Sequence, residues 1–183
     1  MNPENFELNI RIFRMINENN TAFLDNFFMF ARYLGRGELI IIFLLFLLYR
    51  KDFGNFRHLF ISSVITAFFV VLIKFIVDAP RPALFLEDVH LLLPYYRKSF
   101  PSGDSAVASL ILIFFFWKVK VILRILLVIY WLIICYGRIY LGVHFPLDIA
   151  AGFLIALFSV WTASVMLKKV TQLFNCNDSK KLV

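Results

Sequence analysis

Five apolar runs limit what this chain can fold into. They cover residues 35–50, 58–77, 102–118, 120–137 and 146–167, each near the ~20 residues that carry a helix across a bilayer core or somewhat short of that. Hydrocarbon offers no partner to an unpaired backbone N–H or C=O, so such runs fold as helices, whose backbone bonds are internal. With 61% of 183 residues hydrophobic and 18% aromatic, the chain carries more apolar surface than a soluble core of its size can hide. The expected fold class is all-α, a polytopic transmembrane helical bundle of about five spans.

The start of the chain reads differently. Apolar positions at Phe6, Leu8, Ile10, Phe13 and Ile16, followed by AFLDNFFMFARYLG, are broken by Asn, Asp and Arg, a pattern more amphipathic than membrane-spanning. Residues 1–34 are therefore expected to form an interfacial segment, with a short sixth span as the alternative. Residues 35–168 form the bundle and residues 169–183 a cytoplasmic tail. MNPENFELNI lacks the basic region and apolar core of a cleaved signal peptide, so the first hydrophobic helices are expected to direct insertion themselves. No internal repeat or second domain interrupts the single bundle.

Charge sets the orientation. Arg50, Lys51 and Arg57 lie between the first two runs, Lys118, Lys120 and Arg124 between the third and fourth, and Lys168, Lys169, Lys180 and Lys181 after the fifth. Five spans place all of these on one face, which the positive-inside rule makes cytoplasmic. The net charge of +7 belongs to these loops and to anionic lipid, and nucleic acid is set aside as a partner. Cys135 and Cys176 show neither metal-ligand spacing nor a disulfide framework, so no metal or cofactor is expected.

The opposite face receives the chemistry. Lys74 ends the second run, and a lysine there either snorkels to the interface or serves a site. Arg81 follows in a Pro-flanked turn, PSGD (101–104) opens the third run, Arg138 closes the fourth, and His144 and Asp148 open the fifth. Three cations gathered at one face repel one another unless an anion joins them, and the planar forks of Arg81 and Arg138 suit phosphate oxygens. Ser102 can cap a helix whose free N–H groups, with Gly103 allowing close approach, point at that anion. The i, i+4 spacing of His144 and Asp148 lets the carboxylate hold one imidazole nitrogen and leave the other free to attack phosphorus. The loop between residues 83 and 99 is either a packed connection or a set of apolar and aromatic side chains, Leu84, Phe85, Leu91–Leu93, Tyr95 and Tyr96, in the headgroup layer beside Arg97 and Lys98. His90 is expected to face solvent.

KFIVDAPRP, PSGD and RIYLGVHFPLD resemble, in order and spacing, the three signature motifs of the type 2 phosphatidic acid phosphatase superfamily, Lys-x6-Arg-Pro, Pro-Ser-Gly-His and Ser-Arg-x5-His-x3-Asp. The resemblance spans roughly residues 20–168. It implies a metal-independent phosphatase of a membrane lipid, with His144 as nucleophile, Asp148 orienting it, and Lys74, Arg81, Ser102, Gly103 and Arg138 binding phosphate. Bacterial members of similar size act at the periplasmic face of the inner membrane on undecaprenyl diphosphate, phosphatidylglycerol phosphate, phosphatidic acid or lipid A. Two positions depart from the pattern. Gly137 replaces the usual Ser and loses one hydroxyl. Asp104 replaces the motif's His, the residue held to protonate the leaving oxygen, and three readings of it stand: an Asp acid, a different or dispensable acid, and a weakened enzyme. A lipid-phosphate binder or transporter on the same scaffold is the rival function. A vanadate-dependent haloperoxidase, usually soluble, is the third.

Overall fold

The computed structural model describes residues 6–94 and 98–180, with side chains as far as Gln172. The described residues form helices and loops, with no strand among them: α1 (Glu7–Asn17), α2 (Ala22–Ala31), a 3-10 turn at Arg32–Gly35, α3 (Glu38–Tyr49), α4 (Phe53–Val77), α5 (Pro82–Phe85), α6 (Gly103–Phe116), α7 (Val121–Tyr140) and α8 (Pro146–Lys180). The five apolar runs of the sequence correspond to α3, α4, α6, α7 and α8. Three of them, α4, α7 and α8, belong to segments long and apolar enough to cross a bilayer. At 12 and 14 residues, α3 and α6 reach only ~18–21 Å against a core of ~30 Å.

The short α6 is the centre of the bundle. It packs against α8, α7 and α4, α4 also packs on α8, and α3 lies on α4. Ala106, Ala108, Leu110 and Ile111 of α6 are at most 1% exposed. Leu110, Ile111 and Phe114 meet Ile40 and Leu47 of α3, Leu59 of α4 and Ala156 of α8 in the main apolar cluster. The outer faces are apolar too: Ile42 and Leu45, Phe68 and Phe75, Ile122 and Leu126, and Trp161 are all more than half exposed. Such a belt is the lipid-facing surface of a multi-pass membrane protein.

The ends of these helices divide into two poles. At one, Asp52 caps α4 by accepting from the Asn55 N–H at 3.1 Å and feels the charge of Lys118, beyond α6. At the other, α4 stops because Asp78 turns left-handed (φ 42°) and APRP cannot continue a helix. There α7 is followed, two residues past its end at Tyr140, by Gly142 (φ +75°), where a Cβ would lie 2.6 Å from the His90 carbonyl oxygen. Glycine is needed at that point for both its backbone and its size.

The amphipathic start of the chain turns its apolar face onto the bundle. Phe13 of α1 is buried with Cys135, Ile139, Phe145 and Ile149, and Phe28 of α2 with Tyr140, Leu141 and Val143. Buried Asn17 donates to the carbonyls of His90 (2.9 Å) and Tyr140 (2.8 Å) and accepts from the His90 N–H. Buried Asn9 accepts from the Leu147 N–H in the first turn of α8. Two asparagines that look like interruptions in the sequence thus satisfy backbone groups at the site pole.

Candidate active site

His144 and Asp148 form the most enclosed pair at that pole. His144 lies in the turn before α8 and Asp148 in its first turn, both 3% exposed. The imidazole Nδ1 is 3.0 Å from Asp148 Oδ2. The same oxygen accepts from the Phe145 N–H at 3.0 Å and from the Ser99 hydroxyl, whose Oγ is also 3.3 Å from Nδ1. Held on Nδ1, the ring presents Nε2 as its reactive nitrogen. Burial pushes the His144 imidazolium down to about 3 against the hydrogen bond and charge of Asp148, with Arg138 and Arg81 adding to the fall. A lowered pKa leaves the ring neutral, and so nucleophilic, at neutral pH.

Each expected anion binder arrives from a different element. Lys74, half-buried on the last turn of α4, donates to the carbonyls of Lys98 and Ser99, each at 3.2 Å, and feels the charges of Arg81, Asp148, Asp104 and Arg138. Arg81 precedes α5 and donates to the Val143 carbonyl at 3.1 Å, beside His144 in the chain. Ser102 is buried and caps α6, its Oγ accepting from the Ser105 N–H at 3.4 Å. Its own N–H donates to the Asp148 carbonyl at 3.1 Å, which ties the α6 start to the α8 start. Gly103 follows as the first residue of α6. Arg138, 9% exposed, holds Asp104 Oδ2 at 2.8 Å through Nη1, while its Nε is buried with no partner among the described residues. The structure therefore brings all eight candidate residues to one pole.

Some of the surroundings differ from expectation. His90 does not face solvent: its Nε2 lies 2.9 Å from Asp25 Oδ1 with one quarter of the side chain exposed, because α2 folds back over the loop. The Tyr140 hydroxyl donates to the same Asp25 oxygen at 2.6 Å and, with His90, holds that carboxyl below its ordinary range. Leu91, Leu92 and Leu93 pack on the Phe28–Tyr140 cluster, as a packed connection would, while Leu84 and Phe85 are exposed. Tyr95, Tyr96 and Arg97 lie outside the described residues. Gly137 has a structural reason: a Cβ there would sit 2.7 Å from Phe28 Cδ1, so α2 fills the space a serine would need.

Sequence reasoning missed Ser99, which lies outside every motif, and the basic residues of the N-terminal segment. A cavity of about 390 Å³ has Arg81, Asp104 and Arg138 in its wall together with Arg32, Tyr33 and Arg36. His144 sits behind this wall, and its neighbour Val143 lines it. A second, apolar groove of about 370 Å³ between α3, α4 and α6 also ends at Gly103 and Asp104, with Ile40, Ala67, Val70 and Leu110 along it. The polar cavity and the apolar groove thus meet at Asp104.

A helical bundle that gathers a His–Asp pair and three cations at one end of its spans defines an integral-membrane enzyme acting on phosphate. Comparison with known proteins agrees: residues 55–172 match the PAP2 superfamily, and the chain belongs to that family. It is 30% identical over 154 residues to the undecaprenyl-diphosphatase of Sulfolobus acidocaldarius, covering 83% of this chain and 75% of that one. The crystal structure of Aquifex aeolicus LpxE superposes with a TM-score of 0.83 at 38% identity, covering 89% of this chain and 98% of that one. A transmembrane PAP2-type phosphatidylglycerolphosphate phosphatase from Bacillus subtilis shares the fold, with a TM-score of 0.72 at 21% identity over 89% of this chain and 86% of that one. The chain is thus a membrane lipid phosphatase, a hydrolase of phosphate esters.

Proposed function

We propose that this protein removes a terminal phosphate from a lipid phosphomonoester or diphosphate at the periplasmic face, through a phosphohistidine on His144. The observation that carries the proposal is the buried His144–Asp148 pair, held on Nδ1 and surrounded by Lys74, Arg81 and Arg138. Nε2 attacks phosphorus, the bond to the leaving oxygen breaks, and that oxygen takes a proton. Water then attacks the phosphohistidine, returning Nε2 and releasing inorganic phosphate. The three cations offset the charge spread over the transferring phosphoryl oxygens. The apolar groove ending at Asp104 suits the lipid tail and the polar cavity the headgroup. Substrates of this chemistry include undecaprenyl diphosphate, phosphatidylglycerol phosphate, phosphatidic acid and lipid A. The similarity to an undecaprenyl-diphosphatase over most of both chains favours placing the diphosphate first among the lipids to be assayed.

Phosphate release from these four lipids in detergent micelles tests the proposal. Release from at least one, undiminished by EDTA, is the expected result, because among the described residues no three His, Cys, Asp or Glu side chains converge as metal ligands. Release lost with the chelator and restored by a divalent ion would reject the metal-free mechanism. Binding without release from any of the four would favour the lipid-phosphate binder instead.

The proposed orientation has its own test. With Cys135 and Cys176 replaced by serine, a cysteine at exposed Glu87 is expected to react with an impermeant maleimide in intact cells. One at exposed Lys51 should react only after permeabilisation, because the basic loops hold that pole in the cytoplasm. The reverse pattern would place the site inside the cell.

A further inference from the structure

The N-terminal segment carries a cationic feature that the catalytic inventory does not use. Arg32 and Arg36 flank Tyr33 in and just after the 3-10 turn, and all three enter the wall of the cavity that holds Arg81 and Arg138. Arg32 donates through Nε to the Met29 carbonyl at 3.2 Å and through Nη2 to the Tyr33 hydroxyl at 3.0 Å, and its guanidinium lies 4.7 Å from that ring's centre. The Arg36 guanidinium lies 5.8 Å from the same ring and pairs with Glu38 at 2.7 Å, where both side chains are more than half exposed. Arg32 is close enough to Arg138 to oppose its charge.

Four guanidinium groups therefore face one cavity whose described wall contains a single carboxylate, Asp104, and that carboxylate is taken by Arg138. A fold gains nothing by crowding like charges into a concave surface unless an anion fills it. The phosphate being cleaved belongs beside His144, Lys74, Arg81 and Arg138. It does not account for Arg32 and Arg36, which line the same cavity from a separate part of the chain. The rigid mounting of Arg32 on a carbonyl, a hydroxyl and a ring is what preorganised anion binding requires.

We propose that Arg32 and Arg36 form a second anion subsite that binds a further phosphate of the same lipid, so that the preferred substrate carries two phosphates. The second phosphate is either the inner one of a diphosphate or a remote one on a bis-phosphorylated headgroup. This inference rests on the phosphatase reading, and its test keeps the two apart.

The experiment compares the parent with the Arg32→Gln, Arg36→Gln double variant on three lipids: a monophosphate, a polyprenyl diphosphate and a bis-phosphorylated glycolipid. The readout is the ratio of kcat/KM for each two-phosphate lipid to that for the monophosphate. Loss of two charge-assisted contacts is expected to lower that ratio about tenfold or more for one of the two-phosphate lipids, chiefly through KM. The lipid affected tells which spacing the subsite reads. Ratios unchanged for both lipids, whether or not all rates fall together, would overturn the subsite. Binding of the same lipids to the His144→Ala protein, measured by thermal shift, separates this claim from catalysis. A preference for two phosphates that vanishes on adding the arginine changes supports the subsite even if the parent releases no phosphate, and equal affinities for one and two phosphates overturn it.

Discussion

Replacing His144 with alanine is expected to bring phosphate release down to assay background, a loss of ~10⁴-fold or more, because the atom proposed to form the covalent bond is gone. The other groups cannot substitute for it. Lys74 donates to two carbonyls, arginine stays protonated at any working pH, and Ser99 is turned toward Asp148. The variant is expected to stay folded, since the interhelical ties at this pole run through the Ser102 N–H, the Asp148 carbonyl and Asn9 rather than through the ring. Thermal melting within a few degrees of the parent checks that point. A brief reaction with a substrate labelled in its terminal phosphate should leave acid-labile label on the parent and none on the variant. Turnover close to the parent's would remove His144 from the nucleophile role. Asp148→Asn is the companion test: it keeps the size but removes the charge that opposes the loss of the imidazole proton affinity, so labelling should slow while substrate affinity changes little.

What the sequence made legible follows from how strongly each part is constrained. The five helices could be read because lipid forces an apolar run to be helical, and the departures come where that force ends. α3 is shorter than its apolar run chiefly because it begins only after Gly37, whereas α6 starts one residue into its run and stops at Phe116, two residues before the run ends. The site residues could be read as a set because each sits at the end of a span and the spans alternate in direction. The contribution of the first 34 residues could not be read, since amphipathicity alone does not distinguish a helix lying on lipid from one lying on protein. Phe28 illustrates the limit. Its place beside Gly137 follows only from α2 folding back on α7, and no local pattern announces that contact. Ser99 and Asn17 were illegible for the same reason: single polar residues outside any motif acquire their partners, Asp148 and the Tyr140 carbonyl, only through tertiary packing.

Residue 104 is where the largest gain from a single change is expected. In this structure the carboxylate is held by Arg138 at 2.8 Å, at the junction of the polar cavity and the apolar groove, where a leaving lipid oxygen would pass. That pairing has two consequences. A carboxylate so paired must give up the guanidinium before it can turn to a leaving oxygen, and until then it would compete with a bound phosphate for the same arginine. Asp104→His removes both obstacles: an imidazolium is cationic beside phosphate and, with an ordinary pKa of ~6.5, a competent acid near neutral pH. Asp104→Asn only weakens the competition, since a neutral amide oxygen still accepts from Arg138 but less strongly than a carboxylate, and the side chain can no longer act as an acid. We therefore expect kcat to fall in the order His, Asp, Asn, with the extremes at least ~10-fold apart, as a general acid is worth ~10²–10⁴ in rate. KM should fall in both variants, because one negative charge leaves the anion site. The two parameters separate the possible roles of the aspartate. Equal kcat in all three forms with lower KM in the variants would make Asp104 a positioning partner of Arg138 only, and the leaving oxygen would then take its proton from water.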